Sequence, residues 1–235
     1  TTGANLQGRN AGKRLLSLYG GYLDMHGSYS TAQIDSIFPY IYGGAGGWSS
    51  NALTESLLNQ IENSDLVVMF CQNLAGTRMS GGGQFYETLK ALEKSQAKVI
   101  IIDPRRTDSV PTLDAEWIPI VPGTDGALVA GIIHTMIKEN LVDEAFLKSH
   151  VVGWDESTLP ESAPRNGSYK DYILGNGEDE TPKTAQWAET ITAIPAKRII
   201  QLAREIGNAK AAWISQGWGL QRTSNGEQAS RAIMM

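Results

Sequence analysis

Two short apolar runs in the first half of the chain have the pattern of buried parallel strands. They cover residues 65–70 and 98–103, are rich in branched side chains, and stop at residues typical of turns. Between them, the apolar positions of residues 81–94 recur at helical spacing on one face. A strand, a helix and a second strand in this order predict a parallel sheet with a right-handed crossover.

Helix and strand patterns alternate on both sides of this unit as well. Further helices are predicted at residues 8–19, 56–61, 127–137, 143–147 and 185–206, the last interrupted at Pro195, and further strands at 116–121 and 211–215. The predicted fold is α/β, a Rossmann-like parallel sheet with flanking helices and a surface excursion. In such a sheet, ligands bind at the carboxyl ends of the strands.

The pattern divides the chain into four segments. Residues 1–50 precede the sheet, and residues 51–150 form its Rossmann-like core. Residues 151–184 contain several prolines and glycines and little periodicity, so they are predicted to form an irregular excursion on the surface. Residues 185–235 supply helices, a strand and a loop that returns to the ligand-binding edge, and the sequence stops inside a predicted helix.

Composition and charge exclude several classes of protein. With 41 % hydrophobic and 19 % charged residues, the chain lies in the globular range. Its net charge of -5 is spread without a basic block, which gives no support to a nucleic-acid-binding patch. The longest uncharged apolar run, residues 126–137, is too short to span a bilayer, and no signal peptide opens the sequence.

Cysteine and histidine are scarce. The single cysteine, Cys71, excludes a disulfide within the chain and a zinc or iron-sulfur site built from several thiolates. The three histidines, His26, His134 and His150, lie far apart and not at metal-binding spacing. A metal held by several histidine and cysteine side chains is therefore not expected.

The loop after the first strand combines an amide side chain with glycines. Asn73 and Thr77 precede glycines 81–83, which open the predicted helix. A helix N-terminus with free backbone N–H groups suits a phosphate group. The alternative is an ordinary turn and helix cap, because the run matches neither the G-x-G-x-x-G nor the P-loop pattern.

The loop after the second strand carries a carboxylate and two cations. Asp103 can accept two ribose hydroxyls, and Arg105 and Arg106 beside it can balance the charge of a pyrophosphate. The alternative is a strand that ends at a proline and is followed by solvated arginines. Both interpretations remain open at this point.

The loop after the third strand carries another carboxylate. Asp125, which follows Gly123 and Thr124, can accept two hydrogen bonds from the paired N–H donors of a guanine edge. Alternatively, it caps a helix that begins at Gly126. Three successive strand-end loops that each suit part of one nucleotide are more informative than any one of them.

Two further segments carry candidate chemistry. Gly217 and Gly219 flank Trp218 after the last strand, where glycine allows close approach to a flat or anionic ligand; the alternative is a tight turn with the tryptophan in the core. Ser30 and Thr31 fit the caps of a helix that follows them. A serine oxygen can also bind a Lewis-acidic metal without a neighbouring base.

The order of these motifs resembles the molybdopterin oxidoreductases of the dimethyl sulfoxide reductase family. The motifs are Tyr-Ser-Thr at 29–31, a strand ending in an Asn loop at 73, Ile-Asp-Pro-Arg-Arg-Thr at 102–107, Pro-Gly-Thr-Asp-Gly-Ala at 122–127 and Gly-Trp-Gly-Leu-Gln-Arg at 217–222. Within the family, the closest resemblance is to the catalytic (A) subunits of anaerobic dimethyl sulfoxide and selenate reductases. Because these subunits are several times longer, we expect the sequence to be a central fragment.

The resemblance implies molybdenum held between two molybdopterin guanine dinucleotides (bis-MGD), and it implies that the Rossmann-like core of residues 51–150 is dinucleotide-binding. It implies that Ser30, in segment 1–50, is the protein ligand of the metal and the catalytic residue. The implied cofactor contacts are Asn73, Thr77, Asp103, Arg105, Gly123, Thr124, Asp125, Gly217, Trp218, Gly219 and Gln221. Among them, Asn73 matches the phosphate position, Asp103 the ribose position and Asp125 the guanine position. Arg222 stands where many relatives have histidine.

The activity implied by the resemblance is oxygen-atom transfer from an S-oxide, N-oxide or selenate-type acceptor in anaerobic respiration. An iron-sulfur cluster is expected in the full-length chain but not in these residues, and the isolated piece is expected to be inactive. The implied partners are an iron-sulfur electron-transfer subunit, a membrane anchor subunit and a small oxygen-donor substrate. The implied location is the periplasmic side of the inner membrane, after export in the folded state.

The residues alone are compatible with two other functions. One is a Rossmann-like module that binds a guanine nucleotide without redox activity. The other is a scaffold whose strand-end loops serve only as turns and helix caps.

Overall fold

A computed structural model of the chain describes residues 8–23, 31–42, 58–77 and 83–234. None of the described helices is both long and apolar enough to cross a membrane. In chain order, the elements are α1 (Gly8–Leu18), α2 (Ala32–Tyr42), a 3-10 helix (Leu58–Asn63), β1 (Leu66–Phe70), α3 (Leu74–Thr77), α4 (Gly83–Ser95), β2 (Lys98–Ile102), α5 (Ser109–Thr112), β3 (Glu116–Ile118), α6 (Asp125–Lys138), α7 (Glu144–His150), a short 3-10 helix (Glu156–Thr158), α8 (Tyr169–Leu174), α9 (Ala185–Thr192), α10 (Ala196–Asn208), β4 (Ala212–Gln216) and α11 (Gly226–Met234).

The strands form a parallel sheet in the order β3-β2-β1-β4. Leu66 of β1 lies opposite Lys98 of β2 on one side and opposite Ala212 of β4 on the other, and both registers continue to Phe70. All five residues of β1 are buried, as expected for a parallel strand covered on both faces. The predicted α/β fold, with a parallel sheet and flanking helices, is confirmed.

Helices cover both faces of the sheet, because successive side chains of a strand point to opposite faces. Leu66, Val68 and Phe70 face one apolar core, to which α6, α9, α10 and α11 contribute. Val67 and Met69 face a second core, which is lined by α4, α5 and the 3-10 helix before β1. We refer to these as the α6 face and the α4 face of the sheet.

Several element ends differ from the predictions. The third strand ends at Ile118, because the following Pro119 has no N–H to donate to the sheet. The helix predicted before β1 is a 3-10 helix in the described residues. Helix α6 begins at Asp125, two residues earlier than predicted, and Pro195 is the N-cap of α10 rather than a residue of its first turn.

Residues 151–184, predicted as an irregular surface excursion, include the helix α8. Ile173 of this helix is fully buried. Gly175, with φ 78°, ends α8 in the left-handed conformation that glycine adopts without strain. The segment therefore contributes a buried side chain as well as surface loops.

Lys183, near the end of this segment, is buried together with its ammonium group. Its Nζ atom donates to the carboxylate of Asp179 and to the carbonyl of Thr181. The same atom lies 4.4 Å from the ring centre of Tyr172 in α8 and 5.4 Å from that of Trp187 in α9. The charge thus links α8 to α9 through hydrogen bonds and cation–π contacts.

We expect Asp179→Asn to lower the free energy of unfolding by about 2 kcal/mol, because it leaves a buried ammonium group without its carboxylate. This loss is smaller than is typical of fully buried pairs, because the side chain of Asp179 is 47 % exposed, whereas that of Lys183 is 1 % exposed. Lys183→Met removes the buried charge itself and should cost less. Urea unfolding of both variants measures the difference, and a larger loss for Lys183→Met would contradict this account.

Candidate cofactor-binding site

The carboxyl ends of the four strands meet at one edge of the sheet. The order β3-β2-β1-β4 places β2 and β3 on one side of β1 and β4 on the other. In open α/β sheets, the crevice for ligands lies where the strand order reverses in this way. Here the reversal lies between Cys71, which follows β1, and Gly217, which follows β4.

Gly217 holds the loop after β4 against the loop after β1. Its N–H donates to the carbonyl of Phe70 at 2.7 Å, and a Cβ atom at this position would collide with the carbonyl of Cys71. Ser215 also donates to Oε1 of Gln72, at 2.5 Å. The two backbones therefore approach more closely than a residue with a side chain would permit.

Asp125 is buried at this edge, with 1 % of its surface exposed. It is the first residue of α6; the N-cap is Thr124, which makes no side-chain capping bond. The Asp125 carboxylate instead accepts from the thiol of Cys71, with an Sγ–Oδ1 distance of 3.7 Å. Asp125 therefore does not cap a helix that begins at Gly126.

The electrostatics of this edge favour hydrogen-bond donors or positive charge. Burial raises the pKa of Asp125, and the charge of Asp103 raises it further. Hydrogen bonds from the backbone N–H of Asp125 and from Cys71 lower this pKa and so oppose the rise. Burial also raises the pKa of Asp103, although the N–H and charge of Arg105 oppose this. Burial and the two carboxylates raise the pKa of the Cys71 thiol, which is therefore a neutral donor rather than a reactive thiolate.

Asp103 ends β2 and is half-buried. Its carboxylate accepts from the backbone N–H of Arg105 at 2.8 Å, and its carbonyl accepts from Nε1 of Trp117 at 2.8 Å. The side chain of Arg105 is exposed. Thr107, in the same loop, is buried and its hydroxyl has no hydrogen-bond partner. A buried hydroxyl left unpaired in this way is uncommon and indicates a position where a bound group can complete the hydrogen bonding.

Asn73 and Thr77 make the contacts expected if the loop after β1 is an ordinary turn and helix cap. Oδ1 of Asn73 accepts from the N–H of Gly76 at 3.1 Å and from the hydroxyl of Ser109 at 2.8 Å. The hydroxyl of Thr77 donates to the Asn73 carbonyl at 2.7 Å. Both side chains thus stabilise α3, and their contact with a phosphate stays a prediction.

Trp218 is half-buried rather than part of the apolar core, and the Arg222 guanidinium lies 5.9 Å from its ring centre. Gln221 is 1 % exposed and donates from Nε2 to the Trp218 carbonyl at 3.2 Å. Gly219 packs near the side chain of Cys71, and Gly123, with φ 79°, lies beside the loop that follows Gln221. The predicted residues of the third and fourth loops are thus brought to the same edge as Asp125.

Helix α2 also reaches this edge, through a residue that the sequence analysis did not identify. Gln33 donates from Nε2 to the carbonyl of Thr223 at 3.0 Å, and its Oε1 is buried without a partner. Thr31, just before α2, is buried and donates to the Asp35 carboxylate at 3.0 Å.

Ser30 lies outside the described residues, so its role as a metal ligand stays a prediction. No cluster of three or more metal-ligating side chains occurs in the described part of the chain.

Comparison with known proteins identifies the family. Residues 5–235 match the model of the family described as molybdopterin oxidoreductase. The chain belongs to this family. It is 55 % identical over 222 residues to dimethyl sulfoxide reductase DmsA of Escherichia coli K12, covering 94 % of this chain and 26 % of that protein. It is 56 % identical over 223 residues to DmsA of Haemophilus influenzae, covering 94 % and 27 %. The chain thus spans about a quarter of the length of the curated relatives that it matches.

One solved structure has a similar fold. Acetylene hydratase from Pelobacter acetylenicus superposes with a TM-score of 0.54 over 75 % of this chain and 23 % of that chain. At 22 % identity, the likeness concerns the fold alone.

Membership of the family implies a molybdopterin cofactor, and the residues at the carboxyl edge fit such a group. The buried Asp125 carboxylate has a weak thiol as its side-chain donor, and the Thr107 hydroxyl lacks a partner. Hydroxyls and N–H groups of a large polar cofactor match the carboxylate, and an oxygen of such a group matches the Thr107 hydroxyl as a donor.

The raised pKa of Asp125 predicts a pH dependence of folding. The folded chain keeps the proton of this carboxyl at pH values where the unfolded chain, with the ordinary value of 3.8, has lost it. The free energy of unfolding should therefore fall as the pH rises from that value to the raised pKa. Asp125→Asn should flatten this fall in urea unfolding of the cofactor-free chain, measured from about pH 4 to about pH 7. An equally steep fall in the variant would contradict the prediction.

Proposed function

We propose that this chain is the part of a molybdenum-dependent reductase that binds the guanine dinucleotide form of molybdopterin. The observation that carries the proposal is the buried carboxylate of Asp125 at the reversal of the sheet, where Cys71 is its side-chain donor. A carboxylate accepts two parallel N–H bonds, and guanine presents two such donors on one edge. Binding of that base would replace a weak thiol contact with two well-matched hydrogen bonds.

The other residues of the edge suit the remaining parts of the dinucleotide. The half-buried Asp103 carboxylate suits ribose hydroxyls, and the exposed Arg105 side chain suits a phosphate. Gly217, whose backbone packs against the Cys71 carbonyl, is a proposed contact because of its position directly after β4 at this edge. The further proposed contacts are Asn73, Thr77, Gly123, Thr124, Trp218, Gly219 and Gln221.

We further propose that Ser30 is the protein ligand of the metal and that the full-length enzyme reduces an S-oxide, N-oxide or selenate-type acceptor. The relatives named dimethyl sulfoxide reductase support the S-oxide among these acceptors. The cofactor supplies the redox chemistry when bound, and this chain binds and orients it. A second dinucleotide site, an iron-sulfur cluster, an electron-transfer subunit, a membrane anchor and a periplasmic location are parts of the same proposal for the whole protein.

The guanine contact is tested in the full-length protein by Asp125→Asn. An amide presents only one acceptor oxygen and adds an N–H donor, so we expect at least about a tenfold loss of the GMP released by acid hydrolysis. Asp114→Asn is the matched control, because Asp114 is exposed and its φ of 48° is one that asparagine tolerates. Full retention of GMP by Asp125→Asn would remove the proposed contact.

The metal contact is tested by Ser30→Ala in the full-length protein, with Ser28→Ala as the control in the same segment. We expect the Ser30 variant to keep its guanine nucleotide, to show a changed molybdenum EPR signal and to lose dimethyl sulfoxide reduction. An unchanged signal with full activity would remove Ser30 from the metal site. Guanine nucleotide without any molybdenum in the parent protein would instead support a binding module without redox activity.

A further inference from the structure

The two outer strands of the sheet differ in how well their free sides are protected. β3 has three residues, begins with Glu116, which pairs with Lys98 and Arg198, and is followed by Pro119. Short length, charge and proline are the means by which proteins prevent further pairing at a sheet edge. β4 is longer, and its sequence, Ala-Trp-Ile-Ser-Gln, has neither charge nor proline.

β4 is also less covered than the other strands. Every residue of β1 is buried, whereas no residue of β4 is. The contrast is sharpest at Ile214, which is 41 % exposed although its partner Val68 on the same face is 0 % exposed. In the described part of the chain, the apolar surface of the sheet thus continues onto β4 and leaves Ile214 partly exposed.

The backbone of β4 has one side free of strand pairing in the described part of the chain, because β4 pairs there only with β1. The Ala211 carbonyl and the Gly217 N–H both point to β1, where they bond to Asp65 and Phe70. Since backbone groups alternate sides along a strand, the N–H groups of residues 212, 214 and 216 point away from β1. These donors form the unpaired side.

The position of α11 indicates where a following strand would lie. Helix α4 connects β1 to β2 and packs on the α4 face, whereas α11 follows β4 and packs on the opposite, α6 face through Ala229. Parallel crossovers are right-handed almost without exception. A helix on the opposite face therefore carries the chain in the opposite direction, which is away from β1 and past the free side of β4.

We propose that the free side of β4 is a docking surface for a further parallel strand of the same polypeptide, outside these 235 residues. The order β3-β2-β1-β4 equals the first four strands of a doubly wound sheet, in which a fifth strand lies beyond the fourth. The relatives are about three and a half times as long as this chain, so their polypeptides have ample length for it. The added strand would pair the three free N–H groups and cover Ile214.

The pairing is tested by hydrogen exchange of the full-length protein. We expect the amides of residues 212, 214 and 216 to exchange at least about 100-fold more slowly than in an unstructured peptide, like those of residues 213 and 215. Rapid exchange at 212, 214 and 216 beside slow exchange at 213 and 215 would show an edge open to solvent and overturn the proposal.

The identity of the neighbour is tested by replacing Ile214 with the photo-crosslinking residue p-benzoylphenylalanine in the full-length protein. We expect an intramolecular cross-link to a residue beyond 235, in a segment of apolar, branched residues. A cross-linked dimer on a denaturing gel would indicate a second copy, and a cross-link within residues 1–235 would indicate an internal segment. Either of these results would overturn the proposal. The matched control at Val152, which is 77 % exposed and far from the sheet edge in sequence, should not give the same cross-link.

Discussion

The structure depends on the hydrogen bonding of β1 on both sides. Its five consecutive apolar residues are buried on both faces, so the backbone N–H and C=O groups have no water to bind and must pair within the sheet. β2 follows β1 closely in the sequence and supplies one set of hydrogen-bond partners. β4 supplies the other set and is separated from β2 by residues 103–211. The helices between them cover the sheet, and the return of the chain places Gly217 beside Cys71.

Local patterns were sufficient to predict the strands and most helices, because burial in a parallel sheet and on an amphipathic helix leaves a direct signal in consecutive residues. They were also sufficient to place Asp103, Asp125 and Gly217 at one edge, since parallel strands end together. The contact between Asp125 and Cys71 could not be predicted, because the two residues are 54 positions apart and meet only through the crossing of the chain. The same holds for Gln33 and Thr223, which are 190 positions apart.

The candidate site is electrostatically unfavourable for the cofactor-free chain. A carboxylate that is 1 % exposed and has a thiol as its side-chain donor loses more in desolvation than it recovers in that hydrogen bond. An apolar residue at position 125 would fill the same space without this loss. The acid at this position is therefore better explained by a ligand with matching donors than by packing, and the unpaired hydroxyl of Thr107 supports the same explanation at the loop after β2.

The site and the free side of β4 are connected through the register of that strand. Gly217 meets the Cys71 carbonyl only because β4 pairs with β1 from Ala212 to Gln216, and a shift of one residue would bring Gln216 or Trp218 to a position that has no room for a Cβ atom. A strand that pairs with a neighbour on one side only resists such a shift less than a strand that pairs on both sides. Pairing on the free side of β4 would therefore stabilise the crevice between β1 and β4 without contacting the cofactor, because it fixes the residue from which the fourth loop begins.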